Sequence, residues 1–193
     1  MVKQLPNDPE MQPLTRTQIL VAMAVTALIL WIVAKLWLRF GQVALLSWKW
    51  TPTSLLLGLS LGLAITVASG LIYRLWPSYR KSADYYLELV LKPLILPDLV
   101  WLGLLPGLSE ELLFRGVMIP ALGFGIIALV LSSLCFGILH LSGTQQWPYV
   151  VWATTVGLIL GYSAVASDNL LVPIVAHIVT NFLSGLIWKR THP

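Results

Sequence analysis

The chain has 193 residues, 58% of them hydrophobic and only 10% charged, with a mean hydropathy of +0.84. A water-facing domain carries roughly 25% charged residues, so these figures exclude an ordinary soluble domain and predict a protein whose solvent is lipid. The net charge of +4 does not imply nucleic acid as a partner, because the basic residues stand at the ends of apolar segments, where they orient a membrane protein.

Residues 1–18, with Pro6, Pro9 and Pro13 among mixed charges, read as a disordered cytoplasmic tail. Residues 19–73 read as two N-terminal transmembrane helices. The first runs from Ile19 to about Leu38. It is longer than a signal-peptide core and lacks a clear small-residue cleavage site, so it reads as a retained span. The second, Thr53 to Tyr73, is uncharged and rich in Leu and Gly. Residues 74–93 form a basic amphipathic connector with Tyr79, Tyr85 and Tyr86, suited to the headgroup region.

Residues 94–190 form the remaining membrane core. Pro97, Asp98, Pro106 and Gly107 predict a broken or kinked third span, because proline removes a helical hydrogen bond and collides with the preceding turn. Spans four (Phe124–Leu141), five (Tyr149–Ala166) and six (Leu170–Trp188) follow. The fold class expected is all-α: a polytopic bundle of about six spans with a polar cavity between spans three, four and six. Nine Trp and six Tyr suit two membrane interfaces. With six spans, Lys3, Arg16, Arg74, Arg80, Lys81, Lys92, Lys189 and Arg190 share one side, against Lys35, Arg39 and Lys49 on the other. That imbalance predicts cytoplasmic termini in a plasma or other inner membrane. Cys135, the single cysteine, excludes an internal disulfide and reads as a buried packing residue.

The informative residues are the ionisable ones set among these apolar segments: Glu110, Glu111, Arg115 and His140, with His177 and Asn181 on span six. Each intramembrane charge costs about 2.5–3.5 kcal/mol on insertion scales, so the group needs mutual partners or a function. Glu111 and Arg115 are four apart and can pair on one helix face. Glu110 lies about 100° around the helix from Glu111, so one arginine does not neutralise both. An unpaired carboxylate in a low-dielectric site is suited to general-base work. His177 and Asn181, also four apart, project from one face. With His140 and Glu110 they supply a base, a second proton-handling group and two donors for a developing oxyanion.

Other chemistries fit less well. No His-Glu-x-x-His is present, although residue types alone leave a Glu/His/His zinc site open. Gly107-Leu108-Ser109 is a weak serine-nucleophile turn. Asp98 and Asp168 read as segment-end residues rather than an aspartyl pair. A non-catalytic membrane immunity or scaffold protein remains an alternative, and a small proton-relaying transporter a lesser one, since no internal repeat is present.

Glu110-Glu111-x-x-x-Arg115, Phe136-x-x-x-His140 and His177-x-x-x-Asn181, in order on successive hydrophobic segments, resemble the three motifs of the CPBP intramembrane glutamic endopeptidases. These are also called the Abi or CAAX-protease family. The resemblance covers about Leu94 to Trp188. It implies a protease that uses neither metal nor cofactor and acts on a membrane-bound or lipid-modified peptide. Glu110 and His140 would activate the attacking water, and His177 and Asn181 would stabilise the oxyanion. Glu111, Arg115 and Phe136 would shape and support the site.

Overall fold

The apolar segments fold as helices, and the described residues, 14–192 of a computed structural model, contain no strand. Most of the tail expected over residues 1–18 lies outside the described residues. The helices are α1 (Arg16–Phe40), α2 (Pro52–Leu75), α3 (Pro77–Leu91), α4 (Leu99–Glu111), α5 (Ile119–Ala121), α6 (Ile126–Ile138), α7 (Trp147–Ser167) and α8 (Leu171–Thr191). A π-helical turn, Leu112–Met118, joins α4 to α5 without a break, and short 3-10 turns precede α4 and α7.

The bundle is all-helical as expected, but among the described residues the expected six spans are not all found. Four helices are long and apolar enough to cross a membrane: α1, α2, α7 with its leading turn, and α8. A fifth crossing results if α3 and the helix Leu96–Ala121, bent by 106° to each other, are taken as one broken span. The helix α6, expected as span four, has only 13 residues. At 1.5 Å per residue it covers about 20 Å, short of the roughly 30 Å hydrocarbon core. The break of the third segment also falls elsewhere than expected, at residues 92–95 before the helix, while Pro106 sits inside α4. The charge argument for the side of the termini assumed six spans; with four or five, the basic residues sort differently between the two sides.

Thr15 explains why α1 begins at Arg16, inside the boundary drawn at residue 18. Its hydroxyl accepts from the Gln18 amide at 3.3 Å, and the Gln18 side chain accepts from the Thr15 amide at 2.8 Å. This capping box satisfies two otherwise unpaired donors. One residue on, Arg16 donates twice to Asp98, at 2.7 and 2.8 Å, and Asp98 also accepts from the Ile95 amide at 2.9 Å. The start of α1 is thereby tied to the start of the helix that carries the acidic motif. Asp98→Leu removes three acceptor contacts at once, and a loss of about 2–3 kcal/mol is expected. A melting temperature in detergent equal to that of the wild type would refute the tie.

Glycines decide which helices touch. On α2, Ser54, Gly58, Gly62 and Ile65 are buried, a small-residue stripe at helical spacing of the kind that lets membrane helices approach closely. A Cβ on Gly58 would lie 2.6 Å from Val175 Cβ, and one on Gly62 2.7 Å from the Ala176 carbonyl oxygen. Hence α2 packs on α8. Gly62→Val is expected to cost about 1–3 kcal/mol by overpacking, read as a lower melting temperature; an unchanged one would argue against close α2–α8 packing. The same device recurs on α4. A Cβ on Gly103 would lie 3.0 Å from the Ile178 carbonyl oxygen, and one on Gly107 2.6 Å from Ile178 Cγ1.

The extended segment 41–51 turns inward rather than hanging as a loop. Leu46 is buried and its amide donates to the Gly116 carbonyl in the π turn at 3.0 Å. Asn169 fastens the other side. Its amide group donates to the Lys49 carbonyl at 2.8 Å and to the Ser54 hydroxyl at 2.7 Å, while its oxygen accepts from the Lys49 and Leu171 amides. The neighbouring Lys49–Asp168 pair is exposed, and Lys49 holds the Asp168 carboxyl below the usual carboxylate range. Leu28, Trp31, Leu36, Leu56, Leu63 and Leu71 stay on the outer faces of α1 and α2, apolar surface that lipid covers in an integral membrane protein. Cys135 is exposed among such residues on α6, correcting the expectation of burial.

Candidate active site

The π turn follows directly on Glu110 and Glu111. Such turns widen the helix locally and occur often at functional positions. Here carbonyls of the turn take partners from neighbouring segments: Phe114, which also accepts from the Ile119 amide, accepts from the Ser132 hydroxyl at 2.9 Å, and Gly116 accepts from the Leu46 amide at 3.0 Å. The turn is thus held between α6 and the 41–51 segment.

Arg115 lies in this turn, fully buried. It donates to Glu111 Oε1 at 2.9 Å and to the Gly157 carbonyl at 2.9 Å. Its guanidinium carbon stands 4.3 Å from the centroid of the Phe136 ring, a cation–π contact. Gly157 can play this part because α7 meets α6 closely there; a Cβ would lie 3.2 Å from Ser133 Cα and Phe136 Cδ1. The pairing of Glu111 with Arg115 is therefore present as spacing suggests.

His177 brings a contact that spacing did not suggest. Its Nδ1 lies 2.7 Å from the same Glu111 Oε1. Since a carboxylate accepts, the ring donates from Nδ1, and Nε2 is the nitrogen left open. The glycine groove on α4 makes this possible: Ile178, the residue next to His177, fills the space beside Gly103 and Gly107. Phe136 completes the packing, its ring centroid 5.6 Å from that of His177 and 4.9 Å from that of His140.

Glu110 is also buried, yet its Oε2 has no hydrogen-bond partner among the described residues. Glu111 Oε2 is likewise unpartnered, so what separates the two adjacent carboxylates is the other oxygen: Glu111 Oε1 is built into an ion-pair cluster, and Glu110 makes no ion pair among the described residues. His140 lies just past the end of α6, and its Nδ1 is 2.9 Å from the Phe136 carbonyl. A carbonyl only accepts, so Nδ1 carries a proton and Nε2 is the lone-pair nitrogen of the neutral ring. Both histidines thus keep Nε2 open.

Asn181 is one turn beyond His177 on α8. Its Nδ2 points to the Leu102 carbonyl at 3.5 Å, a weak contact at the edge of hydrogen-bonding range. That carbonyl is available because Pro106, four residues on, has no N–H to give it. Ser109, the weak nucleophile candidate, donates its hydroxyl to the Leu105 carbonyl at 2.7 Å. No three His, Cys, Asp or Glu side chains come together as a metal-holding group among the described residues.

Residues 92–183 match the family model described as type II CAAX prenyl endopeptidase Rce1-like. This stretch of the chain is an Rce1-like domain. The kinship with CAAX proteases expected from the three motifs is borne out, and all seven motif residues fall inside the Rce1-like domain. The chain is also similar to the uncharacterized protein YpbD of Bacillus subtilis (strain 168), at 27% identity over 122 residues. That match covers 63% of this chain and 62% of the relative, so less than two thirds of YpbD is represented. No solved structure matches the chain significantly. The helices α1, α2 and α3 precede the Rce1-like domain. Sequence reasoning missed two tyrosines beside His140: Tyr149 within the domain and Tyr86 on α3. The sequence reading placed Tyr86 at the headgroups, and nothing along the chain signals its contact with a residue more than fifty positions away.

Proposed function

We propose that the protein is an intramembrane endopeptidase that hydrolyses a membrane-bound or lipid-modified peptide with a glutamate-activated water, needing no metal. The single observation that supports this most is the division of labour between the adjacent carboxylates. Glu111 is committed through Oε1 to Arg115 and His177, while Glu110, also buried, makes no ion pair and no side-chain hydrogen bond among the described residues.

In this reading Glu110 takes a proton from water as the resulting hydroxide adds to the peptide carbonyl carbon. His140, with Nε2 open, shares the handling of that proton and returns one to the leaving nitrogen when the C–N bond breaks. His177 and Asn181 face the oxyanion. When the His177 ring carries two protons, Nδ1–H stays on Glu111 and Nε2–H serves the substrate oxygen. Glu111 and Arg115 act on the substrate only through His177. The Pro106-freed carbonyl beside Asn181 orients its amide until substrate competes for it.

The test is a comparison of peptide N-termini in membranes from cells carrying the wild type or Glu110→Gln at equal expression. Ends present only with the wild type would identify the substrate. An identical set of ends, with a cellular phenotype unchanged by the substitution, would overturn the reading in favour of a protein that binds without cleaving.

A further inference from the structure

His140 is held by no polar contact from another element among the described residues. It lies beyond the last residue of α6, in a turn, and it is half-buried. Among the described residues its side chain makes one hydrogen bond, to its own helix end at Phe136. A residue in such a place needs walls if its ring is to hold one orientation.

Three aromatic rings surround it. Phe136 is 4.9 Å away by ring centroids, at an interplanar angle of 47°. Tyr86 and Tyr149 are each 6.1 Å away, both at 46°. These two tyrosines stack on each other at 4.6 Å and 26°, so they present one continuous surface to the imidazole. Centroid separations of about 4.5–7 Å with offset or tilted planes are favourable aromatic contacts. The stack is itself braced. Tyr149 lies parallel to Tyr79 at 6.0 Å, and Tyr79 packs against Trp76 and Trp152. Tyr79 and Tyr86 are seven apart on α3, hence on one face.

We propose that the stacked pair Tyr86–Tyr149 is a positioning wall for His140, which makes α3, outside the Rce1-like domain, part of the working site. The rings do this by shape. With Phe136 they limit the orientations open to the imidazole and so fix the direction of Nε2. The hydroxyls are not required, and phenylalanine suffices at either position. Misplacement of a reacting group by about 1 Å costs on the order of 10²-fold in rate, so loss of the wall is read in kcat rather than in KM.

The kinetic arm of the test rests on the endopeptidase reading; a second arm does not. Full-length protein in nanodiscs, labelled with 15N-histidine, reports the ring tautomer of His140, with His140→Gln supplying the assignment. The variants are Tyr→Phe, Tyr→Leu and Tyr→Ala at positions 86 and 149, the leucines keeping volume in case the alanines fail to fold. The expected result is one well-defined Nδ1–H tautomer in the wild type and the Phe variants, and an averaged signal in the Leu and Ala variants. On the peptide substrate, the Leu and Ala variants lose about 10²-fold in kcat with KM within about twofold, and the Phe variants keep both constants. An undisturbed tautomer signal in Tyr86→Leu and Tyr149→Leu would overturn the wall. So would Phe variants as impaired as the Leu variants, since the hydroxyls would then carry the role. If the tautomer responds as expected but the wild type cleaves nothing, the wall stands and the endopeptidase reading falls.

Discussion

Glu110→Gln is expected to reduce peptide cleavage by about 10²–10⁴-fold, the range for loss of a positioned general base, while the melting temperature holds or rises. The second half of that expectation is the diagnostic one. Glu110 makes no ion pair and one of its oxygens is buried without a partner among the described residues. Exchanging it for a neutral side chain of the same shape breaks no contact and removes the cost of burying a charge. A group that lowers stability yet stands in the site is one whose presence needs a chemical explanation. The measurements are initial rates on the substrate defined by the membrane-peptide comparison and thermal unfolding in the same detergent. A variant that cleaves at the wild-type rate would remove Glu110 from the mechanism. A variant that melts well below the wild type would show that Glu110 is structural after all.

Arg115→Leu is expected to do the reverse at the level of the fold. It leaves Glu111 fully buried with its charge partner gone, and breaking one side of a buried pair costs about 3–5 kcal/mol. For a chain of this length the melting temperature should fall by on the order of 10 °C. The Gly157 carbonyl also loses its donor, and Phe136 the cation above its ring. The double variant Glu111→Leu with Arg115→Leu removes both charges, and it is expected to regain part of the lost stability, as buried pairs replaced by apolar groups often do. Cleavage stays lost in the double variant, because His177 no longer has the acceptor that directs its ring. Losses that add simply, each residue costing the same alone or together, would contradict the shared cluster.

The two expectations together separate neighbours in sequence by opposite signatures, one in rate and one in stability. Glu111 and Arg115 could be paired on paper because four residues bring two side chains to one helix face, and the widened turn does not undo it. The same reasoning released Glu110 from the pair. It could not show that His177 closes the cluster on Glu111, since that depends on how near α8 comes to α4. The glycines at 103 and 107 permit the approach, and Ile178 fills the groove they leave. Nor could it show that Asn181 meets a carbonyl freed by Pro106, although Pro106 itself was visible.

By itself, the sequence determined that this chain lives in lipid, that its elements are helices, and which polar residues stand where charge is expensive. Composition and local spacing carry that information because hydration and helical geometry act residue by residue. The break before the third helix, the turn that follows Glu111 and the neighbours of His140 were decided only by the tertiary structure. Each depends on close approach between segments far apart in the chain, set by small residues and by carbonyls left without donors, and no local pattern records which partner will satisfy them.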